Sequence, residues 1–375
     1  MLPLLFCAVV TQQPFQAHAE QVGESQPTTF ITPTTSEPIT PGVQPPASTS
    51  APSPNAFRLL PAALETGGIL ALEIVWYEWQ IELNKQDFDF DRTWAGQRRR
   101  YDRLYGFRFD DNAFGINMGH AYYNGSFYYD VARVLGGSFA ESWLFTLATS
   151  TLWEMTIEHR EVLSLNDTIV TPAGGAAIGE AFYQLGLFFE RGSPTVANRV
   201  LTTLFSPAQT LNDAFGLTAV PRTDDVDRWG LPKDAYHRFV IAAGYGLTTR
   251  GSADHEHSQE FELRLDTDLL TVPEYDHAGS LSRSLTAGAL SHVNVLYALA
   301  PNDLKDLRVF TQASVWGYYW QTLEGDEAAL RGTVSYAGGA TAFDLSIAET
   351  PDFTDFLGIM HLFGCRFPRP LTPLA

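Results

Sequence analysis

The run Glu260-Phe261-Glu262-Leu263-Arg264-Leu265-Asp266-Thr267-Asp268-Leu269 decides the fold class. Phe261, Leu263, Leu265 and Leu269 stand on one parity, and Glu260, Glu262, Arg264, Asp266 and Asp268 on the other. A period of two is that of a strand with two unlike faces; a helix would scatter these side chains around its axis. The same alternation recurs on both sides. From His237 to Leu247, Phe239, Ile241, Ala243, Tyr245 and Leu247 face one way, and Arg238, Ala242, Gly244 and Gly246 the other. Val293, Val295, Tyr297 and Leu299 alternate with His292, Asn294 and Ala298. Leu307–Gln321, Leu330–Tyr336, Ala340–Ile347 and Phe356–Phe363 read as further strands. Pro301-Asn302-Asp303, Glu324-Gly325-Asp326 and Pro351-Asp352 supply turn signals among them.

Several of these runs reach the roughly 9–11 residues that a tilted strand needs to cross a bilayer. An apolar face toward hydrocarbon and an acidic face toward a wet interior would explain the alternation. Tyr297, Trp316, Tyr318, Tyr319 and Trp320 would then form an interfacial girdle. Outer-membrane barrels have eight or more strands, so additional strands are expected from Ile69–Trp79 or Tyr105–Phe109. The competing reading is a soluble β-domain with the apolar face turned into a conventional core.

Upstream, residues 2–10 (LPLLFCAVV) are apolar and Ala17-His18-Ala19 offers small residues before Glu20, the pattern of a secretory signal over 1–19. Residues 20–56 are rich in Thr, Ser, Pro and Gln, cannot repay their ordering entropy, and read as a disordered linker. Residues 57–113 read as a connecting region. Gly68–Tyr77 and Ser142–Trp153 are apolar but short, and Glu73, Glu78, Glu154 and Glu158 interrupt or flank them, so no transmembrane helix is expected. Removal of the signal takes Cys7 and leaves Cys365 as the single thiol, so no intramolecular disulfide is expected. The net charge of -19, from 24 Lys+Arg against 43 Asp+Glu, argues against a nucleic-acid partner.

Between about 114 and 192 the period becomes helical. Ser138 with Glu141 forms a capping box ahead of Trp143–Trp153, and Thr171-Pro172 reads as a second helix start. Gly175, Gly179, Tyr183 and Gly186 give the following helix a small-residue face for close backbone approach. Glu154, Glu158 and Glu161 would share a face if a helix runs through them. His120, Tyr123, Tyr129 and Arg133 precede them, and Ser164, Asp167, Thr171 and Glu180 follow. These residues support two readings. One is a hydrolase with His120 as base, Glu154 or Glu158 as its partner, and Ser126 or Ser164 as nucleophile. The other is a structural polar network of Tyr129, Arg133, Glu154, Ser164, Asp167, Thr171 and Glu180, with Arg133 paired to Glu154 and with Ser164 or Asp167 as a cap. No metalloprotease helix, nucleophile elbow, P-loop or dinucleotide fingerprint is present, and no cofactor or metal ligand set is recognised.

His120…Gly125-Ser126-Phe127-Tyr128-Tyr129-Asp130-Val131-Ala132-Arg133, then Glu141-Ser142, then Ser150-Thr151-Leu152-Trp153-Glu154 form an ordered series. Ser164-Leu165-Asn166-Asp167-Thr168-Ile169-Val170-Thr171-Pro172-Ala173-Gly174-Gly175 and Gly179-Glu180 continue it. Together they resemble the signature of a bacterial family known as domain of unknown function number three-nine-four-three. The resemblance covers about Asp110 to Arg191 and implies a signal-bearing Gram-negative envelope protein. It carries no reaction, cofactor or catalytic residue. Family members continue through further C-terminal strands, whereas this chain closes on a Pro-rich segment from Phe367 to Ala375, which suggests an incomplete barrel.

The expected fold class is therefore mixed α and β: a helical module at 114–192, then antiparallel strands of an outer-membrane-type β-barrel across 193–375. The expected role is structural or transport-like, with the helical module as plug or cap, membrane lipid as partner and the outer membrane as location. The alternatives are an envelope lipid or glycan hydrolase and a soluble periplasmic binding module.

Overall fold

A computed structural model describes residues 56–84, 90–102, 107–108, 124–218, 220–249, 257–272, 275, 277–300, 303–325, 331–349 and 354–366. Helices come first: α1 (Leu59–Asn84), α2 (Trp94–Tyr101), α3 (Ser126–Val134), α4 (Phe139–Leu152), α5 (Leu165–Arg191), α6 (Val196–Phe205) and α7 (Pro207–Ala214). Two-residue strands β1 (Phe107–Arg108) and β2 (Leu163–Ser164) pair in parallel among them. An antiparallel seven-stranded sheet follows: β3 (Tyr236–Thr249), β4 (His257–Leu270), β5 (Gly279–Leu285), β6 (Leu290–Ala300), β7 (Asp303–Glu324), β8 (Arg331–Glu349) and β9 (Thr354–Arg366). Its order is β3-β4-β6-β7-β8-β9, with β5 paired to the distal half of β7. The sheet is open, with β3 and β9 at its ends.

The strands carry the alternation read from the sequence. Paired residues share a face, so Phe239, Thr267, Val293, Thr311 and Phe343 form one cross-strand row. Leu265, Val295, Val309 and Leu345 form the next row on that face. The opposite face carries Arg238, Asp268, His292 and Gln312, with Asp266, Asn294, Phe310 and Asp344 beside them.

The middle of the apolar face is covered by protein. Leu269, Val293 and Ala313 are buried against Ala181, Leu185, Phe188 and Phe189 of α5. Val309, Phe343 and Leu345 bury Ala177 and Ile178 of the same helix. Thr311 Oγ1 donates to the Ala177 carbonyl at 2.8 Å, which fixes the helix along the sheet. The expectation that this whole face looks outward is therefore corrected. Leu265 packs under the helices, while Phe261 and Leu263, farther along β4, are exposed. On the acidic face, Arg238 pairs with Asp266 and Asp268 and Arg264 with Asp266, so these acids are ion-paired in place and do not simply line water.

Other boundaries differ as well. Ile69–Trp79 lies inside α1 and is no strand, and Phe107–Arg108 pairs with Leu163–Ser164, away from the seven-stranded sheet. Leu330–Tyr336 and Ala340–Ile347 merge into β8, because Gly338 and Gly339 continue the ladder opposite Gly317 and Trp316. β5 has no counterpart among the expected strands; Gly279-Ser280-Leu281-Ser282-Arg283-Ser284-Leu285 has too few apolar residues to show a face. Helices α6 and α7 extend the helical part beyond Gly192.

Against the expectation of no transmembrane helix, the Leu59–Trp79 stretch of α1 is long and apolar enough to cross a membrane by length and composition. Of the acids that read as interruptions in α1, Glu73 turns toward the protein and Glu78 pairs with Arg92; Glu65 also turns inward. Glu65 accepts from Asn212 Nδ2 at 2.8 Å, and Glu73 accepts from the Tyr128 hydroxyl at 2.5 Å. The other side of α1 leaves Leu60, Leu64, Leu72, Val75, Trp76 and Trp79 exposed.

Helix α5 starts earlier than Thr171-Pro172. Ser164 is its N-cap, accepting from the Asp167 amide at 3.0 Å, and Pro172 sits inside the helix. The capping box of Ser138 and Glu141 opens α4 as read. The glycine face of α5 does what its spacing suggested: a Cβ at Gly175 would come within 2.5 Å of the Gly125 carbonyl oxygen, and one at Gly186 would overlap Ser206 Cβ. Gly175→Ala should therefore destabilise the fold by forcing α3 and α5 apart. Gly68→Ala in α1, where a Cβ meets nothing within 4 Å, should gain up to about 1 kcal/mol of helix stability. Thermal unfolding of the two variants checks this contrast, and a loss of the same size in both would contradict the α3–α5 contact.

Candidate functional site

The signature residues gather in two buried clusters, one at the middle of α5 and one at its first turn. The first is built from α3 and α5. Arg133 Nε and Nη2 donate to Glu180 Oε2 and Oε1 at 2.8 and 3.0 Å, a two-pronged ion pair. The Tyr129 hydroxyl donates to Glu180 Oε2 at 2.7 Å, and Gln184 Nε2 to Oε1 at 2.8 Å. The Arg133 guanidinium also lies over the Tyr183 ring, 4.6 Å from its centroid. Glu180 is wholly buried with its charge fully matched. Arg133 thus pairs with Glu180 and not, as expected, with Glu154; the helix register sets Glu180 opposite Arg133, while Glu154 lies beyond the end of α4.

The second cluster is acidic. α4 passes at Trp153 into one π-helical turn, Trp153–Ile157, so Glu154 and Glu158 are not carried on a regular α-helix. That wider turn nonetheless brings Glu154, Glu158 and Asp167 together, with one carboxylate oxygen of each within 4.8 Å of the others. The Ser164 amide donates to Glu154 Oε2 at 3.0 Å, and Trp153 Nε1 donates to Glu158 Oε1 at 2.7 Å. Glu161 stands apart and accepts from the Tyr77 hydroxyl of α1 at 2.6 Å. Burial, reinforced by the Glu158 carboxylate, pushes Glu154 up to about 9. Burial and the charge of Glu161 push Glu158 up to about 7. Both are far above the ordinary range of a glutamate near 4.3.

Arg100 of α2 holds this turn. Its side chain is fully buried, and it donates to the carbonyls of Glu154, Met155, Glu158 and Glu161 at 2.5, 3.2, 2.8 and 2.6 Å. Glu154 and Met155 lie in the π-helical turn and Glu158 and Glu161 beyond it, so Arg100 ties the turn to the chain that follows. Sequence reading passes over Arg100, because a run of three arginines looks like a solvated face; the two preceding glycine and glutamine residues give no period to mark it.

A third knot ties α3 to the start of α7. Asp130 Oδ1 accepts from Ser206 Oγ at 2.7 Å and Oδ2 from the Ala208 amide at 3.3 Å. Its burial drives its carboxyl up to about 7.

The expected network therefore divides. Tyr129, Arg133 and Glu180 belong to one cluster, and Glu154, Ser164 and Asp167 to the other. Thr171 is buried, with its carbonyl at the crossing of α5 and Gly125. For the hydrolase reading, His120 and Tyr123 lie outside the described residues. Ser164 is committed to capping α5, and Ser126 opens α3. A paired carboxyl and carboxylate such as Glu154 and Glu158 can pass a proton between them, and three convergent carboxylates can hold a cation. In the sheet, Asp266, Asp268 and His292 also converge, but Arg238 already occupies that charge, donating to Asp266 and Asp268 at 2.7 and 2.6 Å.

Residues 106–208 match the family described as Domain of unknown function (DUF3943), the family that the signature resembles. The match spans the described elements from β1 through α6, which contain both clusters. No curated protein and no solved structure matches the chain.

Two outcomes follow for these clusters. Arg133→Ala should cost about 3–5 kcal/mol, because it strands a buried Glu180; Arg133→Ala combined with Glu180→Ala should cost less than the sum of the two single variants in a denaturant series. For Asp130, the folded carboxyl holds its proton to higher pH than the unfolded one, so its contribution to stability is complete below about 4 and is lost as pH rises through about 7. Asp130→Asn should narrow the stability difference between pH 5 and pH 8 relative to the parent. An unchanged difference would mean that Asp130 is ionised in the fold.

Proposed function

We propose that this chain is an exported envelope protein of the outer membrane, with residues 1–19 as its signal, and that its role is structural or transport-like. In this reading the seven strands are part of an outer-membrane-type β-barrel and the helical module caps it; α5 packs on the same sheet face that carries the bare apolar side chains, so lipid on that face leaves the module outside the lumen and not as its plug. One observation carries it: the apolar face of the sheet continues past the helices and stays bare at both ends. Ile241, Tyr245, Phe261, Leu263 and Leu299 are exposed on one side of the α5 footprint, and Trp316, Tyr318 and Trp320 on the other. Ile241 is 76% and Trp316 62% exposed. Contiguous apolar surface of this kind is rare in monomeric soluble proteins and marks contact with protein or lipid.

Strand length supports lipid. Six of the strands run 11 to 22 residues, at or beyond the roughly 9–11 that a tilted strand needs to cross hydrocarbon. Exposed Trp and Tyr suit the boundary between headgroups and acyl chains. Of the expected girdle, Trp316, Tyr318 and Trp320 share this face, whereas Tyr319 is buried on the other side with Tyr336, Leu270 and Leu285. The bare apolar stripe of α1 adds a second surface that water would leave unpaired.

Washed envelopes extracted with alkaline carbonate and no detergent provide the test. The protein should remain in the membrane pellet and enter solution only with detergent. Release into the soluble fraction would overturn the barrel and favour a periplasmic protein whose bare faces meet another protein.

A further inference from the structure

We propose that Glu154, Glu158 and Asp167 form a binding site for a hard divalent cation, of the Ca²⁺, Mg²⁺ or Mn²⁺ class, inside the helical module. The inference is independent of the membrane reading of the sheet.

One oxygen from each carboxylate lies within 4.8 Å of the other two. Two ligands of a single ion can be no farther apart than twice a metal–oxygen bond, and that bond is about 2.4 Å for calcium. The three acids therefore already stand close enough to share one ion of calcium's size, with no helix having to move.

Glu154 supplies a second, independent sign. It is 2% exposed, and its Oε2 is satisfied by the Ser164 amide. Its Oε1 is shielded from solvent and accepts from no donor among the described residues. A carboxylate oxygen taken out of water and given no donor is costly to hold, and such atoms call for an explanation. The Glu154 carboxyl is hydrogen-bonded to that of Glu158, and a cation shared by Glu154, Glu158 and Asp167 would take the place of the proton between them.

The surroundings are built as a rigid cage. Arg100 ties the Glu154, Met155, Glu158 and Glu161 carbonyls together, so its own donors are spent on backbone and not on the carboxylates. The Ser164 cap places Asp167 in the first turn of α5. Trp153 Nε1 orients Glu158 through Oε1, acting on a ligand from outside the donor set. All three donors are carboxylate oxygens, a set that suits hard cations; soft or borderline metals favour thiolate and imidazole.

The experiment uses the full chain, purified in detergent and stripped with a chelator. Titration with Ca²⁺, Mg²⁺ and Mn²⁺ should raise the unfolding temperature in a saturable way for at least one ion, because ligand that binds only the folded state stabilises it. Tb³⁺ should give luminescence sensitised through Trp153, which contacts Glu158, and excess Ca²⁺ should displace it. Glu154→Gln and Glu158→Gln should each weaken the response at least tenfold. Asp268→Asn, in the cluster already neutralised by Arg238, should leave it unchanged. A parent protein that shows neither a cation-dependent shift nor sensitised emission would overturn the proposal and identify the cluster as carboxyls sharing a proton. So would a response that survives Glu154→Gln in a protein with the parent's circular dichroism, since that would be surface binding by a chain of net charge -19.

Discussion

Helix α5 is the piece to which everything else is fitted, and it can serve because its two sides are unlike. Ala177, Ile178, Ala181, Leu185, Phe188 and Phe189 present bulk to the sheet, where they bury Leu269, Val293, Ala313, Val309 and Phe343. On the other side Gly175, Gly179 and Gly186 remove bulk, so that the backbone at Gly125, the Tyr129 side chain and Ser206 can close on the helix. Large groups fill the wider gap between helix and sheet, and missing groups allow the narrower gap between helices; interiors tolerate neither voids nor overlap. A helix of the same composition with its large and small residues mixed around the axis would serve only one of these contacts.

The same helix distributes the buried charge. Its middle offers Glu180 to Arg133, where each charge meets its complement and the geometry is two-pronged. Its first turn offers Asp167 to Glu154 and Glu158, where like charges are drawn together in a place with little water. The first arrangement holds α3 to α5. The second raises the affinity of Glu154 and Glu158 for protons. Arg100 makes it sustainable by tying the π-helical turn to the chain that follows.

The surface is as informative as the interior. α1 turns Glu65 and Glu73 inward to Asn212 and Tyr128, and so shows the outside an uncharged stripe. The sheet also shows bare aromatic and aliphatic side chains on both flanks of the helix footprint. In α1 the acids Glu65 and Glu73 look toward protein while apolar groups look away; in the sheet the apolar face is covered by α5 at its middle and bare on both flanks.

Local pattern determined much of this. Period two in Glu260–Leu269 and its neighbours marked the strands; the Ser138–Glu141 box and the glycine spacing of α5 marked helices and a close contact, since each depends only on residues a few positions apart. The ordered signature through Glu180 was enough to identify the matched family. Tertiary structure alone decided the rest. Whether Glu73 interrupts α1 or turns toward the protein depends on Tyr128, distant in sequence. Whether Arg133 meets Glu154 or Glu180 depends on how α3 crosses α5, and whether Leu265 faces lipid or protein depends on where α5 lies. Sequence spacing fixes the direction of a side chain on its own element, and only packing between elements determines what stands opposite.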